Sequence, residues 1–398
     1  MPGAAAGSAA IAAAAAALPK GEQLAGSVVD MTGGTTLWSH DAGTPMAPAS
    51  TAKLLTAAAA LQALGPDFRF TTVTKQLGTT VYLVGGGDPT LVRSTKSPVV
   101  PGYPQPATLA ELAASTASAL TPGVPVELSI DTTAWSGPTL AKGWSSSYVT
   151  EGDVTPPSAL ELDGGRLHPA NFDSARATDP AGQAASAFVS LLRADGIAVR
   201  GGVKRQAAPD TATPLASLES PPLSALVQRM LTVSDNDLAE ALGRAVARHE
   251  GRAADFTGAV GAVVRQLAGL GIPTSSVTLH DTSGLSHDDR IDAATLVAVL
   301  RAAASGANPR LAPIVDGLPV AGFTGTLAKR YRGHDSKLGG GVVRAKTGTL
   351  VGVDALAGLV VDRAGRLFAF ALLASGPGTG NAVEAGLDHI TSSLAALG

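Results

Sequence analysis

The apolar and polar positions of the chain fall into two textures. Short β-branched and apolar runs lie near both ends, and helix-forming runs rich in Ala and Leu fill the middle. Residues 27–31 and 35–38 flank Thr32-Gly33-Gly34, which reads as a β-hairpin. A helix follows that begins at Ser50, is rich in helix formers over 54–64 and stops at Gly65-Pro66, where a left-handed cap and a missing N–H end it. Further strands are predicted over 69–73, 81–84, 126–131 and 197–206, with helices over 109–119 and 184–195. From Pro222 onward helices are predicted over 223–233, 237–249, 256–270 and 293–304, then strands over 342–350, 353–361 and 367–373 and a last helix over 381–396.

Strands near both termini with helices between them predict one sheet closed by distant segments. Two proline-rich stretches, 94–106 and 209–222, interrupt the pattern, and the texture between 66 and 214 is richer in strands. These edges predict a discontinuous main domain, 1–65 with 215–398, carrying an inserted domain, 66–214, that is separable from it. The start, 1–18, is almost all Ala and Gly without a basic head. It reads as a first helix over 4–18, with a signal sequence trimmed or lying outside this chain.

Composition narrows the function without naming it. With 398 residues, 45% hydrophobic and 15% charged, the chain can bury a large core and is no disordered protein. A net charge of −3 and the absence of a basic block give no case for nucleic acid. The absence of cysteine excludes a thiol nucleophile and Cys–metal sites. His249-Glu250 is not followed by the second ligand of a zinc-hydrolase helix, since Ala253 stands there, and Gly85-Gly86-Gly87 lacks the Gly-Lys-Ser/Thr of a phosphate loop.

Three short motifs carry candidate chemistry. Ser50 and Lys53 stand three apart at the start of a helix, hence on one face. A lysine whose ammonium is disfavoured can take the proton of a serine hydroxyl and make it a nucleophile. Ser234-Asp235-Asn236 lies in a break between helices, where a hydroxyl and an amide can point into a cleft, although these residue types also cap helices. Lys346-Thr347-Gly348-Thr349 lies on a predicted strand. There glycine permits close backbone approach, and the lysine and hydroxyls can hold a carboxylate.

Taken together, in this order, the motifs resemble those of the penicillin-binding serine D-alanyl-D-alanine peptidases. Within them the chain is similar to the low-molecular-mass class C group, the carboxypeptidase/endopeptidase type of family S13. The similarity extends to Leu83-Val84-Gly85-Gly86-Gly87-Asp88-Pro89-Thr90-Leu91, Asp281-Thr282-Ser283-Gly284-Leu285-Ser286 and Leu318-Pro319-Val320-Ala321-Gly322. The resemblance implies an α+β transpeptidase-like fold shared with serine β-lactamases: an antiparallel sheet flanked by helices, a helical cluster, and a β-rich insertion. It implies hydrolysis of the terminal D-Ala–D-Ala bond of peptidoglycan stem peptides through an acyl-serine, outside the cytoplasm and without a cofactor. It also implies covalent capture of β-lactams, and it leaves cleavage of D-Ala cross-links open.

By the same resemblance Ser50 is the nucleophile, Lys53 its base, and Ser234 the relay to the leaving amine. Asn236 holds the substrate amide and Lys346 joins the proton network. Thr347, Gly348 and Thr349 bind the terminal carboxylate, and the backbone N–H groups of Ser50 and Thr349 form the oxyanion hole. One position departs from the pattern. Where similar proteins place an Asp four residues after Trp144, this chain has Tyr148, and Glu151 and Asp153 are off register. Two rival readings keep the motifs: a serine β-lactamase and a non-catalytic scaffold. Against the first, the glutamates between Asn236 and Lys346 are Glu240 and Glu250, and neither is followed by the Asn of a deacylating Glu element.

Overall fold

The computed structural model describes residues 2–97, 104–377 and 380–398, so part of the proline-rich stretch expected at 94–106 lies outside the described residues. Helix α1 (Pro2–Ala16) is followed by β1 (Gln23–Asp30) and β2 (Thr36–His40), the expected hairpin. Residues Ala49–Ala52 form one 3₁₀ turn, and α2 (Lys53–Leu64) continues from it. Then come β3 (Thr71–Leu77), β4 (Thr80–Val84), α3 (Leu109–Ala119), β5 (Glu127–Asp131), the single turn α4 (Tyr148–Glu151), α5 (Pro180–Ala194), β6 (Lys204–Arg205) and β7 (Thr213–Glu219). The helical stretch is α6 (Leu223–Thr232), α7 (Asn236–His249), α8 (Phe256–Gly269), α9 (Ala293–Ala304) and α10 (Ala312–Gly317), and β8 (Val343–Leu350), β9 (Val353–Val361), β10 (Leu367–Ser375) and α11 (Asn381–Ala395) complete the chain.

The first sheet has the order β2-β1-β10-β9-β8, so the two ends of the sequence meet where Gln23–Asp30 pairs antiparallel with Phe368–Ser375. Both faces of this sheet are buried, and the two-residue period of a strand sorts the side chains. On β10, Phe368, Phe370 and Leu372 point to the layer of α1 and α11, while Ala369, Ala371 and Leu373 point to the helical cluster. The small residues on the cluster side let α2 lie close. From Leu54 to Leu61 α2 has no exposed surface at all, so the helix is buried all round and delivers its N-terminal end to the centre of the molecule. Burying each large side chain such as Phe370 contributes about 1.5–3 kcal/mol, which makes this layer the anchor of the site.

The second sheet has the order β6-β5-β4-β3-β7 and packs α3 and α5 over its own core of Val81, Leu83, Leu128, Ile130 and Phe188. Helix α3 starts on a capping box in which Thr108 and Glu111 satisfy each other's orphan backbone donors. The domain break expected at 214 falls inside β7. Pro214 stands there on an edge strand beside a register shift at Thr74/Lys75, the place where a strand tolerates a missing N–H. The strand expected over 197–206 is shorter than its pattern suggests, a two-residue pairing at Lys204–Arg205 with one bridge from Val199.

Candidate active site

The cleft forms where the N-terminal end of α2, the break between α6 and α7, and the edge strand β8 meet. Ser50 sits in the 3₁₀ turn rather than in the first turn of the α-helix, and Ala49 before it has a left-handed φ of 45°. The turn is wedged in place: a Cβ on Gly284 would lie 2.0 Å from the Ala49 carbonyl oxygen, and one on Gly348 would lie 2.7 Å from Pro48 O and 3.1 Å from Ser50 N. Glycine at 348 therefore lets β8 touch the Ser50 turn.

Lys53 is fully buried, and its Nζ lies 2.8 Å from Ser50 Oγ, 2.6 Å from Asn236 Oδ1 and 2.7 Å from the Ser283 carbonyl oxygen. Nζ donates to all three oxygens, the full set of an ammonium. Once it loses a proton, the two carbonyl oxygens can keep its remaining hydrogens while its lone pair turns to the serine hydroxyl. Burial pulls the Lys53 pKa down to about 8, although Asp281, Asp235, Glu240 and Asp237 pull the other way. Lys346, also fully buried, lies 3.0 Å from Ser234 Oγ and 2.7 Å from the Thr347 carbonyl oxygen. Burial, and then the charge of Lys53, holds its pKa well below the ordinary lysine value.

The Ser-Asp-Asn segment divides its labour. Asp235 takes the capping role, accepting from Leu238 N and pairing with Arg229 at 2.9 Å. That leaves Ser234, held at a left-handed φ of 62°, and Asn236 turned toward the lysines. On β8, segment 319–321 covers the outer edge as far as Ala345, whose N–H donates to Pro319 O. By strand alternation the N–H groups of Thr347 and Thr349 point the same way, out of the sheet, where the edge is no longer covered. The Thr347 hydroxyl donates to Thr326 Oγ1 at 2.8 Å, and Thr349 is exposed, opposite Asp354.

Several contributors were not legible beforehand. The Asp281–Ser286 motif had no assigned part. Its Asp281 gathers the N–H groups of Ser283, Gly284 and Ser286 and the Trp144 indole, and so shapes the loop that offers the Ser283 carbonyl to Lys53. The Asp153 carbonyl accepts from Asn236 Nδ2 at 2.8 Å, and Tyr148 reaches the Leu285 carbonyl at 3.4 Å. Arg176 pairs with Asp237 at 3.6 Å and donates to the carbonyls of Gly152 and Gly164. Segment 144–176 is thus part of the cleft wall, and the insertion expected to be separable is bonded to the catalytic helices through buried groups.

Behind the site, Asp289 accepts from His280 N through Oδ1, while its buried Oδ2 meets no donor among the described residues. Burial, then the charge of Asp281, pushes Asp289 up to about 10, with Glu240 adding to it. The native state thus keeps a proton that the unfolded chain gives up near the ordinary value of 3.8. Stability contributed by this group therefore falls as pH rises between those limits. Asp289→Asn keeps the shape and removes the titration. Its melting temperature is expected to exceed that of the wild type by a margin that widens from about pH 6 to about pH 9. A margin independent of pH in thermal melts contradicts this assignment.

The model of the D-Ala-D-Ala carboxypeptidase 3 (S13) family matches residues 8–175 and 169–395. The chain belongs to this family. Carboxypeptidase DacB of Mycolicibacterium smegmatis is 41% identical over 379 residues, covering 92% of this chain and 79% of the relative. Among solved structures, penicillin binding protein 4 (dacB) of Haemophilus influenzae has a TM-score of 0.82 at 25% identity, covering 96% of this chain and 98% of that one. The same protein complexed with a β-lactam has a TM-score of 0.76 at 24% identity, with 96% and 98% covered. The activity is that of a serine-type D-Ala-D-Ala carboxypeptidase, and the fold is that of the penicillin-binding enzymes.

Proposed function

We propose that Ser50 is the acylated nucleophile and Lys53 the base that activates it, in a wall-directed enzyme acting outside the cytoplasm. The observation that carries this is the short contact of Lys53 Nζ with Ser50 Oγ on a fully buried amine whose other two partners are carbonyl oxygens. In the forward step Ser50 Oγ bonds to the penultimate D-Ala carbonyl carbon as its proton passes to Lys53. The oxyanion lies between the N–H groups of Ser50 and Thr349, which replace water as fixed donors. Ser234, held by Lys346, relays a proton to the departing amine as the amide C–N bond breaks. Water then hydrolyses the ester and restores Ser50.

Lys346 faces no carboxylate of its own among its bonded partners. A substrate ending in a carboxylate supplies the missing charge, favouring the ammonium and gaining charge-assisted bonds with Lys346 and the threonine hydroxyls of β8. Asn236, steadied by Asp153 O, offers its amide to the donor peptide. β-Lactams present the same carboxylate beside a reactive carbonyl and are covalent inhibitors on this reading. A chromogenic β-lactam separates the rivals: stoichiometric acylation fits a peptidase, rapid turnover a β-lactamase, and no reaction a scaffold.

Incubation with a stem pentapeptide ending in D-Ala–D-Ala tests the reading. The wild type is expected to release one D-Ala per peptide and Ser50→Ala none, read by product mass. Equal release by a folded Ser50→Ala protein overturns it.

A further inference from the structure

A hollow of about 840 Å³ lies between the insertion and the catalytic helices. It meets α2 at Leu64 and α7 at Ala245, Arg248 and His249, the far ends of the two helices whose near ends carry Lys53 and Asn236. At about 1.5 Å of rise per residue, those ends stand roughly 16–20 Å from the reacting groups. The facing wall comes from the insertion: Phe68 and Thr71 at the start of β3, Gly85 and Gly86 after β4, and Trp135 and Ser136 after β5. The motif Leu83–Leu91, which the catalytic centre does not use, thus has a place here. A Cβ on Gly86 would lie 2.1 Å from Thr71 O, and one on Gly85 would lie 2.3 Å from Ala159 O, so glycine lets this wall close up. Ser136 N donates to Ala254 O at 3.1 Å and ties the two walls together.

Among the described residues the lining sets three arginines, Arg69, Arg248 and Arg252, against one carboxylate, Asp131. Asp131 is occupied, accepting from Thr133 N, Thr133 Oγ1 and Ala208 N. Arg69 donates to Ser220 O and lies 3.7 Å from Glu219, and Arg252 shares Glu250 with Arg265 and Gln266. Arg248 and His249 are exposed, stand on one helical face with Ala245, and carry no side-chain hydrogen bond or ion pair among the described residues. Near them are half-buried Phe68 and Trp135 and the exposed hydroxyls of Thr71 and Ser136.

We propose that this hollow is a saccharide site, separate from the catalytic centre, that takes a pyranose ring carrying a carboxylate. The ring presents an apolar C–H face to the aromatic side chains, and its hydroxyls match those of Thr71 and Ser136. The carboxylate gains charge-assisted bonds from Arg248 and Arg252. The volume is that of a ligand site. A neutral sugar leaves Arg248 unpaired, and a small acid leaves the aromatic rings bare, so ring and charge are selected together. A muramic acid ring freed of its stem peptide has this chemistry, so the class of reaction that supplies the ligand is hydrolysis of the bond between stem and glycan. The site goes beyond the peptidase reading and does not depend on it.

The probe is N-acetylmuramic acid, titrated by ligand-observed NMR, with N-acetylglucosamine as the ring without the acid and D-lactate as the acid without the ring. The wild type is expected to bind the first about tenfold or more tightly than either of the others, the worth of one charge-assisted bond. Arg248→Glu and Arg252→Glu change exposed positions, and at least one folded variant is expected to bind it about tenfold or more weakly. Prior treatment with benzylpenicillin is expected to leave the affinity within about twofold, because the cleft lies at the other ends of α2 and α7. No saturable binding by the wild type, no preference over the neutral sugar or D-lactate, unchanged affinity in both folded variants, or loss of binding after benzylpenicillin overturns the proposal. Sugar binding by a protein that takes no penicillin supports this site and overturns the assignment of Ser50 instead.

Discussion

Replacing Lys53 by alanine is expected to slow acylation of Ser50 by benzylpenicillin by more than about a hundredfold, the low end for a positioned general base. The amine is fully buried and stands 2.8 Å from the hydroxyl it serves, with Asn236 Oδ1 and Ser283 O fixing its direction. Among the described residues no second basic group is bonded to Ser50 Oγ; Lys346 is bonded to Ser234 and Thr347 instead. The pH profile gives an independent reading. The base works only when neutral, so with a pKa of about 8 the wild-type acylation rate should rise through that pH and level off above it. Stopped-flow acylation checks both points. A rate for Lys53→Ala within about tenfold of wild type, with the rise near the same pH preserved, assigns the proton to another group.

The second large effect lies in the insertion. Arg176→Ala is expected to destabilise the protein by roughly 3–5 kcal/mol, the usual consequence of stranding one partner of a buried ion pair. Arg176 and Asp237 are 3% and 4% exposed, which leaves Asp237 no water to replace the guanidinium. Burial, opposed by Arg176, already raises the Asp237 carboxyl above its ordinary range, with Asp235 adding to it. The Gly152 carbonyl loses its donor too and that of Gly164 keeps only the Thr155 hydroxyl, and with these bonds goes the geometry that sets Asp153 O on Asn236. Urea unfolding combined with acylation rates should show stability and reactivity falling together. A loss below about 1 kcal/mol places this pair among the weakly contributing surface bridges. The same contacts argue that removing the whole insertion, 66–214, leaves the catalytic helices with stranded buried groups rather than an independent core.

What could be read beforehand follows a physical division. Val353–Val361 and Ala293–Ala304 match their predicted bounds because both are long, periodic and ended by turn or capping residues, Asp362-Arg363-Ala364-Gly365 and Asp292 among them. Ser50, Lys53, Ser234, Asn236 and Lys346 meet in one cleft, and each has a side chain whose chemistry marks the sequence. The carbonyls of Ser283 and Asp153 matter as much to Lys53 and Asn236, yet every residue carries a carbonyl, so no letter of the sequence announces them. Strand β7 was hidden by Pro214, whose usual meaning is overruled at an edge. The bond from Arg176 to Asp237 joins residues far apart in sequence, and only the fold brings them together.

The central claim is that Ser50 forms the acyl bond, and the most direct measurement is intact-protein mass after exposure to benzylpenicillin, followed by peptide mapping. The expected result is a gain of one drug molecule per chain, located on the peptide that contains Ser50 and absent in Ser50→Ala. A label on any other peptide, or no label on a folded wild-type protein, contradicts the account.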